Sequence, residues 1–181
     1  MSDTNQLPPE EILWEGDWIT ARRRGKWEYA TRVGQIRAAV ILAVEDGEVL
    51  LVEQFRAALN RRSLELPAGL IGDDDGGEDD DPLSAAKREL EEETGYRAAN
   101  WEDCGAFYSS PGMTNENFTL LKATGLTRVS AGGGVEGEDI TVHRVRLSEI
   151  GRFIADFRKG DVAIDTRMLL LLGPRLLDAG A

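Results

Sequence analysis

The spacing of apolar positions changes several times along this chain, and each change predicts a different element. Residues 38–44 (AAVILAV) are a continuous apolar run bounded by charge and by Gly47, as expected of a strand buried on both faces. Glu45-Asp46-Gly47-Glu48 is a hairpin-type turn, and residues 49–55 (VLLVEQF) supply the return strand. Residues 64–70 (LELPAGL) predict a short strand running into a Pro-Ala-Gly loop. Residues 101–108 and 118–124 predict strands around the loop 109–117, and residues 140–145 alternate as a strand does. Nearer the start, Ile12, Trp14, Trp18, Ile19, Trp27, Tyr29 and Val33 are separated by RRRGK, which predicts short strands joined by a turn, a small β-rich arm.

The helical signals are fewer. Asp81-Pro82-Leu83-Ser84 is a helix start, with an Asp N-cap and proline at the first helical position. The helix continues through AAKRELEEET and stops at Gly95, with Leu83, Ala86 and Leu90 as its docking stripe. Residues 147–157 and 166–177 predict two amphipathic helices, and residues 130–139 (SAGGGVEGED) a flexible loop. With no internal repeat, strands mixed with a few helices predict an α/β layered domain.

Composition narrows the function. The 181 residues (19.9 kDa) suit one domain, or one domain with an arm. Thirty-three acidic against 21 basic residues give a net charge of -12, which excludes a general nucleic-acid binder and docking on anionic lipid. Cys104 and His143 are the only residues of their kinds, so an intrachain disulfide, a cysteine zinc site and a site needing two imidazoles are all excluded. His143 reads as structural, Cys104 as a packed or semi-buried thiol, and Trp101 as the cap of a strand. The first residues lack the basic and apolar regions of a secretory signal, and the run 168–172 is too short to span a bilayer. The expectation is a soluble, cytoplasmic protein.

The chemistry gathers on the helix over residues 83–94. Glu89, Glu92 and Glu93 fall at i, i+3 and i+4 and share one face, with Glu91 elsewhere. Clustered carboxylates repel, and a divalent cation reverses the sign of that cost. Hard cations such as Mg²⁺ take carboxylate oxygen and share their shell with substrate phosphates. For an isolated E-x-x-E-E, a solvated acidic face with Lys87–Glu91 and Arg88–Glu92 pairs would be the better explanation.

The surroundings decide between the two. Residues 88–96 (RELEEETGY) fit R-E-U-x-E-E-x-G-U, where U is bulky and apolar, and Leu66-Pro67-Ala68-Gly69 precedes them. This segment resembles the catalytic box of the Nudix hydrolase family. The family's G-x5-E-x7-R-E spacing is interrupted by residues 73–81 (DDDGGEDDD), a solvated acidic insert, so either Glu78 or Asp80 takes the place of the box glutamate that partners Arg88. Over roughly residues 26–172 the chain is similar to the ADP-ribose pyrophosphatase branch: Glu53-Gln54-Phe55-Arg56, Leu64-Glu65-Leu66-Pro67-Ala68-Gly69, Ser110-Pro111-Gly112 with Pro111 fifteen residues after Tyr96, Glu116, the acidic loop 136–140, and residues 160–166.

The resemblance implies a Nudix α/β/α sandwich with a mixed β-sheet, residues 36–181, carrying an N-terminal β arm, residues 1–35, that swaps across a homodimer. It implies Mg²⁺, with Mn²⁺ as a substitute, held by Glu89, Glu92, Glu93 and the Ala68 carbonyl. It further implies a water-activating base at Glu136 or Glu138, Glu136 being preferred, and substrate contacts from Arg56, Trp27, Glu116 and Arg37. Tyr29 and Arg32 are further candidates for the nucleotide pocket. The reaction implied is hydrolysis of ADP-ribose to AMP and ribose 5-phosphate. Hydrolysis of another nucleoside diphosphate sugar such as GDP-mannose is the alternative, followed by a non-catalytic nucleotide-sugar sensor.

Overall fold

The computed structural model describes residues 7–34, 36–72, 81–135 and 137–177, so Glu136, Glu78, Asp80 and all but the last residue of the acidic insert lie outside the described residues. The chain begins with a three-stranded antiparallel sheet of β1 (Glu10–Glu15), β2 (Ile19–Arg24) and β3 (Trp27–Arg32). Arg22, Arg24 and Tyr29 all converge on the Glu10 carboxylate and tie the three strands together. This is the predicted arm. Its last strand docks on the loop 109–116, where Ala30 donates its N–H to the Met113 carbonyl at 2.9 Å.

An eight-stranded mixed sheet follows, built outward from the hairpin of β4 (Arg37–Glu45) and β5 (Glu48–Arg56). Asp46 and Gly47 both take positive φ, 51° and 76°, as a tight two-residue turn requires. The two strands pair only beside that turn, Val44 with Val49 and Glu45 with Glu48, and then diverge. β4 pairs antiparallel with β7 (Ala68–Ile71) and parallel with β9 (Asn117–Arg128), which is flanked by β8 (Tyr96–Tyr108). β5 pairs with β6 (Arg61–Glu65) and β10 (Thr141–Arg146), and the two-residue β11 (Ala163–Ile164) extends β6.

The run at 38–44 is apolar throughout because β4 feeds two cores. Ala39, Ile41 and Ala43 face the cluster completed by Ala85, Ala86 and Leu90 of α1 (Pro82–Thr94). Val40, with Leu42 and Val44, faces the cluster completed by Ile150 and Ile154 of α2 (Ile150–Phe157) and Leu172 of α3 (Leu169–Leu177). The sheet therefore lies between α1 on one side and α2 and α3 on the other, the α/β/α layering expected. A fully buried leucine such as Leu90 contributes about 1.5–3 kcal/mol to that packing.

Several boundaries differ from expectation. The strand expected over 64–70 is two strands, separated at Leu66-Pro67, where proline cannot continue the ladder. β8 starts at Tyr96, directly after the helix, and runs through Trp101, which is half-buried against the α1 cluster rather than capping a strand. A bulge between Asp103 and Ala106, with Gly105 at φ 94°, shifts its register, and Cys104 is exposed instead of packed. α2 begins at Ile150, three residues later than expected, and a 3-10 turn over Thr166–Met168 precedes α3. On α1 the docking stripe is Ala85, Ala86 and Leu90, with Leu83 only half-buried near the helix start. His143 is structural as expected, since its ring sits edge-on to Phe153 and Phe157. Among the described residues no helix is long and apolar enough to cross a membrane.

Candidate active site

The ends of α1 are fixed by local chemistry. The Asp81 carboxylate accepts from the N–H groups of Leu83 and Ser84 at 2.9 and 3.1 Å, and Gly95 ends the helix at φ 77° with its N–H on the Glu91 carbonyl. Glu91 turns outward to a two-pronged ion pair with Arg97 at 2.6 and 2.8 Å. Glu89 and Glu93 instead lie on the side facing β7.

Gly69 on β7 makes room for Glu89: a Cβ on Gly69 would stand 1.9 Å from the Glu89 carboxyl carbon. One residue earlier, the Ala68 N–H donates to Glu93 Oε2 at 3.0 Å. Glu93 is 4% exposed. Burial raises its pKa to about 8, and the charges of Glu89 and Glu138 add to the rise, while the Ala68 N–H and Arg56 oppose it. The Pro-Ala-Gly segment thus presents a donor to one box glutamate and an empty Cβ position to another.

The acidic loop reaches the same place by packing on the C-terminus of α1. The N–H groups of Gly133 and Gly134 donate to the carbonyls of Glu93 and Glu92 at 2.8 and 3.0 Å. A Cβ on Gly132 would lie 2.4 Å from the Thr94 carbonyl carbon, and one on Gly95 would lie 2.5 Å from the Ser130 carbonyl oxygen. These glycines permit contact between two backbones, a more specific role than the flexibility expected of the loop. Beyond them Glu138 is exposed, and its Oε2 accepts from the Val135 N–H at 3.0 Å.

Cationic groups border the carboxylates. Arg56 forms a two-pronged pair with Glu65, at 2.8 and 2.7 Å, and Glu65 is only 3% exposed. Glu65 also accepts from Arg167 at 3.2 Å, and Asp165 holds Arg167 through Nε and Nη2 at 2.6 and 2.9 Å. Arg88 is half-buried, its guanidinium 4.0 Å from Glu89. Spacing along the chain did not single out Glu65 or Arg167 as a support for Arg56. The only signal was the position of Glu65 in the LELPAG segment.

The remaining candidates divide. Arg37 and Glu116 line one polar recess of about 270 Å³, together with Arg32, Asn115 and Asn117. In it Arg32 binds Glu116 at 2.7 Å. Trp27 lies elsewhere, 65% exposed on the arm, in an apolar recess with Leu7, Pro8 and Tyr29 that none of the α1 glutamates lines. Among the described residues no three acidic, histidine or cysteine side chains are placed together to hold a metal ion. The chemistry of the donors nevertheless suits a hard cation: they are all oxygen, and burial holds Glu93 above its ordinary pKa, a cost that a cation beside it would offset.

A mixed sheet between helices, with the acidic C-terminal half of α1 facing β7, is an α/β/α sandwich with its carboxylates at one sheet face. The NUDIX domain model matches residues 34–160, and the chain belongs to the NUDIX family. Relatives include a methanol dehydrogenase activator of Bacillus methanolicus, 36% identical over 66% of this chain and 63% of that protein. An ADP-ribose pyrophosphatase of Bacillus subtilis is 44% identical over 43% of this chain and 40% of its own length. A GDP-mannose pyrophosphatase of Cronobacter sakazakii is 33% identical over 77% of this chain and 72% of its own length. The matched segment thus spans less than two thirds of the first two relatives. A solved structure described as an ADP compounds hydrolase superimposes with a TM-score of 0.69 over 97% of this chain and 95% of that one, at 19% identity, a likeness of fold.

Proposed function

We propose that this protein is a Mg²⁺-dependent hydrolase of nucleoside diphosphate derivatives that cleaves ADP-ribose to AMP and ribose 5-phosphate. The observation that carries this reading is the buried Glu93, held by the Ala68 N–H of β7 and raised by burial to a pKa of about 8, with Arg56 fixed alongside by Glu65. Glu89, Glu92, Glu93 and the Ala68 carbonyl would hold Mg²⁺, or Mn²⁺ in its place. The metal supplies neutralisation of the diphosphate charge and stabilisation of an in-line displacement. Arg56 orients the diphosphate, its planar fork suited to phosphate oxygen. Glu136 or Glu138 takes the proton of the attacking water as the water oxygen bonds to one phosphorus; the bridging oxygen leaves with the other phosphate.

Arg37 and Glu116, with Arg32, form a polar recess suited to the hydroxyls of the nucleotide sugar. Trp27 serves a base pocket across a homodimer formed by the arm, residues 1–35, with residues 36–181 as the catalytic domain. A cytoplasmic setting fits the single exposed thiol, Cys104. Hydrolysis of GDP-mannose is the second reading, favoured by the Cronobacter relative's coverage of 77% of the chain.

Turnover of the two substrates with Mg²⁺, side by side, tests the assignment. We expect a higher kcat/KM for ADP-ribose; an equal or higher value for GDP-mannose overturns the substrate. Undiminished hydrolysis by a Glu92→Gln variant overturns the metal assignment.

A further inference from the structure

Arg62 belongs to β6, yet its guanidinium crosses β5 to reach the start of β10. Nε donates to Glu53 Oε1 at 2.6 Å and Nη2 to the Glu53 carbonyl at 2.9 Å. The same group reaches the Asp139 carboxylate at 2.9 Å, the Asp139 carbonyl at 3.2 Å and Thr141 Oγ1 at 3.3 Å. Glu53 is itself held from the far side, with His143 Nε2 at 3.1 Å from its second oxygen.

The place of these contacts matters more than their number. Ladder pairing between β5 and β10 begins at Glu53 and Thr141, so Asp139 lies beyond the last residue that the sheet holds. Upstream, the loop is pinned to α1 at Gly133 and Gly134. Glu138 lies between the two anchors, and its described bonds run to Val135 within the same turn. Ile140 is buried and its N–H reaches the Gly133 carbonyl at 3.4 Å; Arg62 supplies the side-chain hydrogen bonds from Asp139 and Thr141 to β6. The Asp139 side chain is 87% exposed, so that ion pair contributes little; the bonds to the Asp139 carbonyl and the Thr141 hydroxyl do the fixing.

We propose that Arg62 is a positioning residue for the hydrolysis: it clamps the downstream end of the acidic loop so that Glu138 stays beside the glutamates of α1. The inference rests on the reading of that loop as the source of the base. A base displaced by about 1 Å can cost on the order of a hundredfold in rate without altering binding of the substrate.

The test uses the full chain with Mg²⁺ and whichever nucleotide sugar turns over faster. Arg62→Met keeps the apolar stem and removes the fork. We expect kcat to fall by about tenfold or more with KM changed by less than about threefold, and Arg62→Lys to recover part of the loss. Amide exchange over residues 134–141 should quicken in Arg62→Met while α1 and β4 keep their protection. An unchanged kcat in Arg62→Met overturns the proposal, as does a loss that accompanies faster exchange throughout the domain, which marks a purely structural role. Glu136→Gln and Glu138→Gln are measured in parallel. If both retain full kcat, the reading of the loop fails and takes the role of Arg62 with it. If Glu138→Gln is impaired while Arg62→Met is not, the clamp alone fails.

Discussion

Glu93 shows how much one carboxyl can set the behaviour of the site. Its pKa of 4.5 in an unfolded chain becomes about 8 in the fold. Between those values the folded protein binds a proton that the unfolded chain has released, so without metal its stability falls as pH rises through this window, by at most about 1.4 kcal/mol per pH unit. We expect thermal unfolding in a chelator to show a lower Tm near pH 8.5 than near pH 6, and Glu93→Gln to reduce that difference. Mg²⁺ needs the ionised form and should raise Tm more at the higher pH. A wild-type Tm no more pH-dependent than that of Glu93→Gln would refute the assignment. The acids of α1 were legible from their i, i+3, i+4 spacing. Glu65, Arg62 and Arg167 were not, because β5–β6 register and the return of the chain after α2 choose their partners, and neither is encoded in local spacing.

At the scale of elements, the junction of α1 with the acidic loop is the most demanding contact. Gly132 combines φ 68° with a backbone neighbour 2.4 Å from any added Cβ. Gly132→Ala should therefore lower stability by about 1–3 kcal/mol and reduce kcat, since the loop cannot close on Thr94 without moving. Gly173→Ala is the control: it meets nothing within 4 Å inside α3 and should be neutral or stabilising by up to about 1 kcal/mol. Equal stability of the two variants in urea unfolding would show that the close approach is dispensable. The sequence placed α1, its Asp81 cap and its Gly95 stop correctly because capping is local chemistry. It placed the ends of α2 and β8 less well, because packing and a bulge decide them.

At the scale of the whole molecule, the arm carries apolar side chains that the described residues do not cover. On the arm, Ile12, Trp14, Trp18 and Trp27 are each more than half exposed. Large apolar side chains left exposed on one small sheet mark an interaction surface, and the homodimer proposed above gives them a partner. Sedimentation should find twice the 19.9 kDa chain mass at micromolar concentration, and Trp14→Glu with Trp18→Glu should return it to the chain mass. A wild-type monomer would remove the dimer and, with it, the role of Trp27.

The sequence by itself determined the layered α/β class, the hairpin of β4 and β5, the capped helix and the i, i+3, i+4 spacing of its three glutamates. Each of these rests on periodicity or capping within a dozen residues. Only the tertiary structure decided that Gly69 is the space Glu89 occupies, that Glu93 is buried against the Ala68 N–H, and that the glycines of the acidic loop serve a backbone contact. It also decided that Glu65 fixes Arg56 and that Arg62 ties down Asp139. Burial and close approach depend on segments far apart in the chain, and a carboxylate's chemistry follows from what surrounds it, which no spacing along one helix contains.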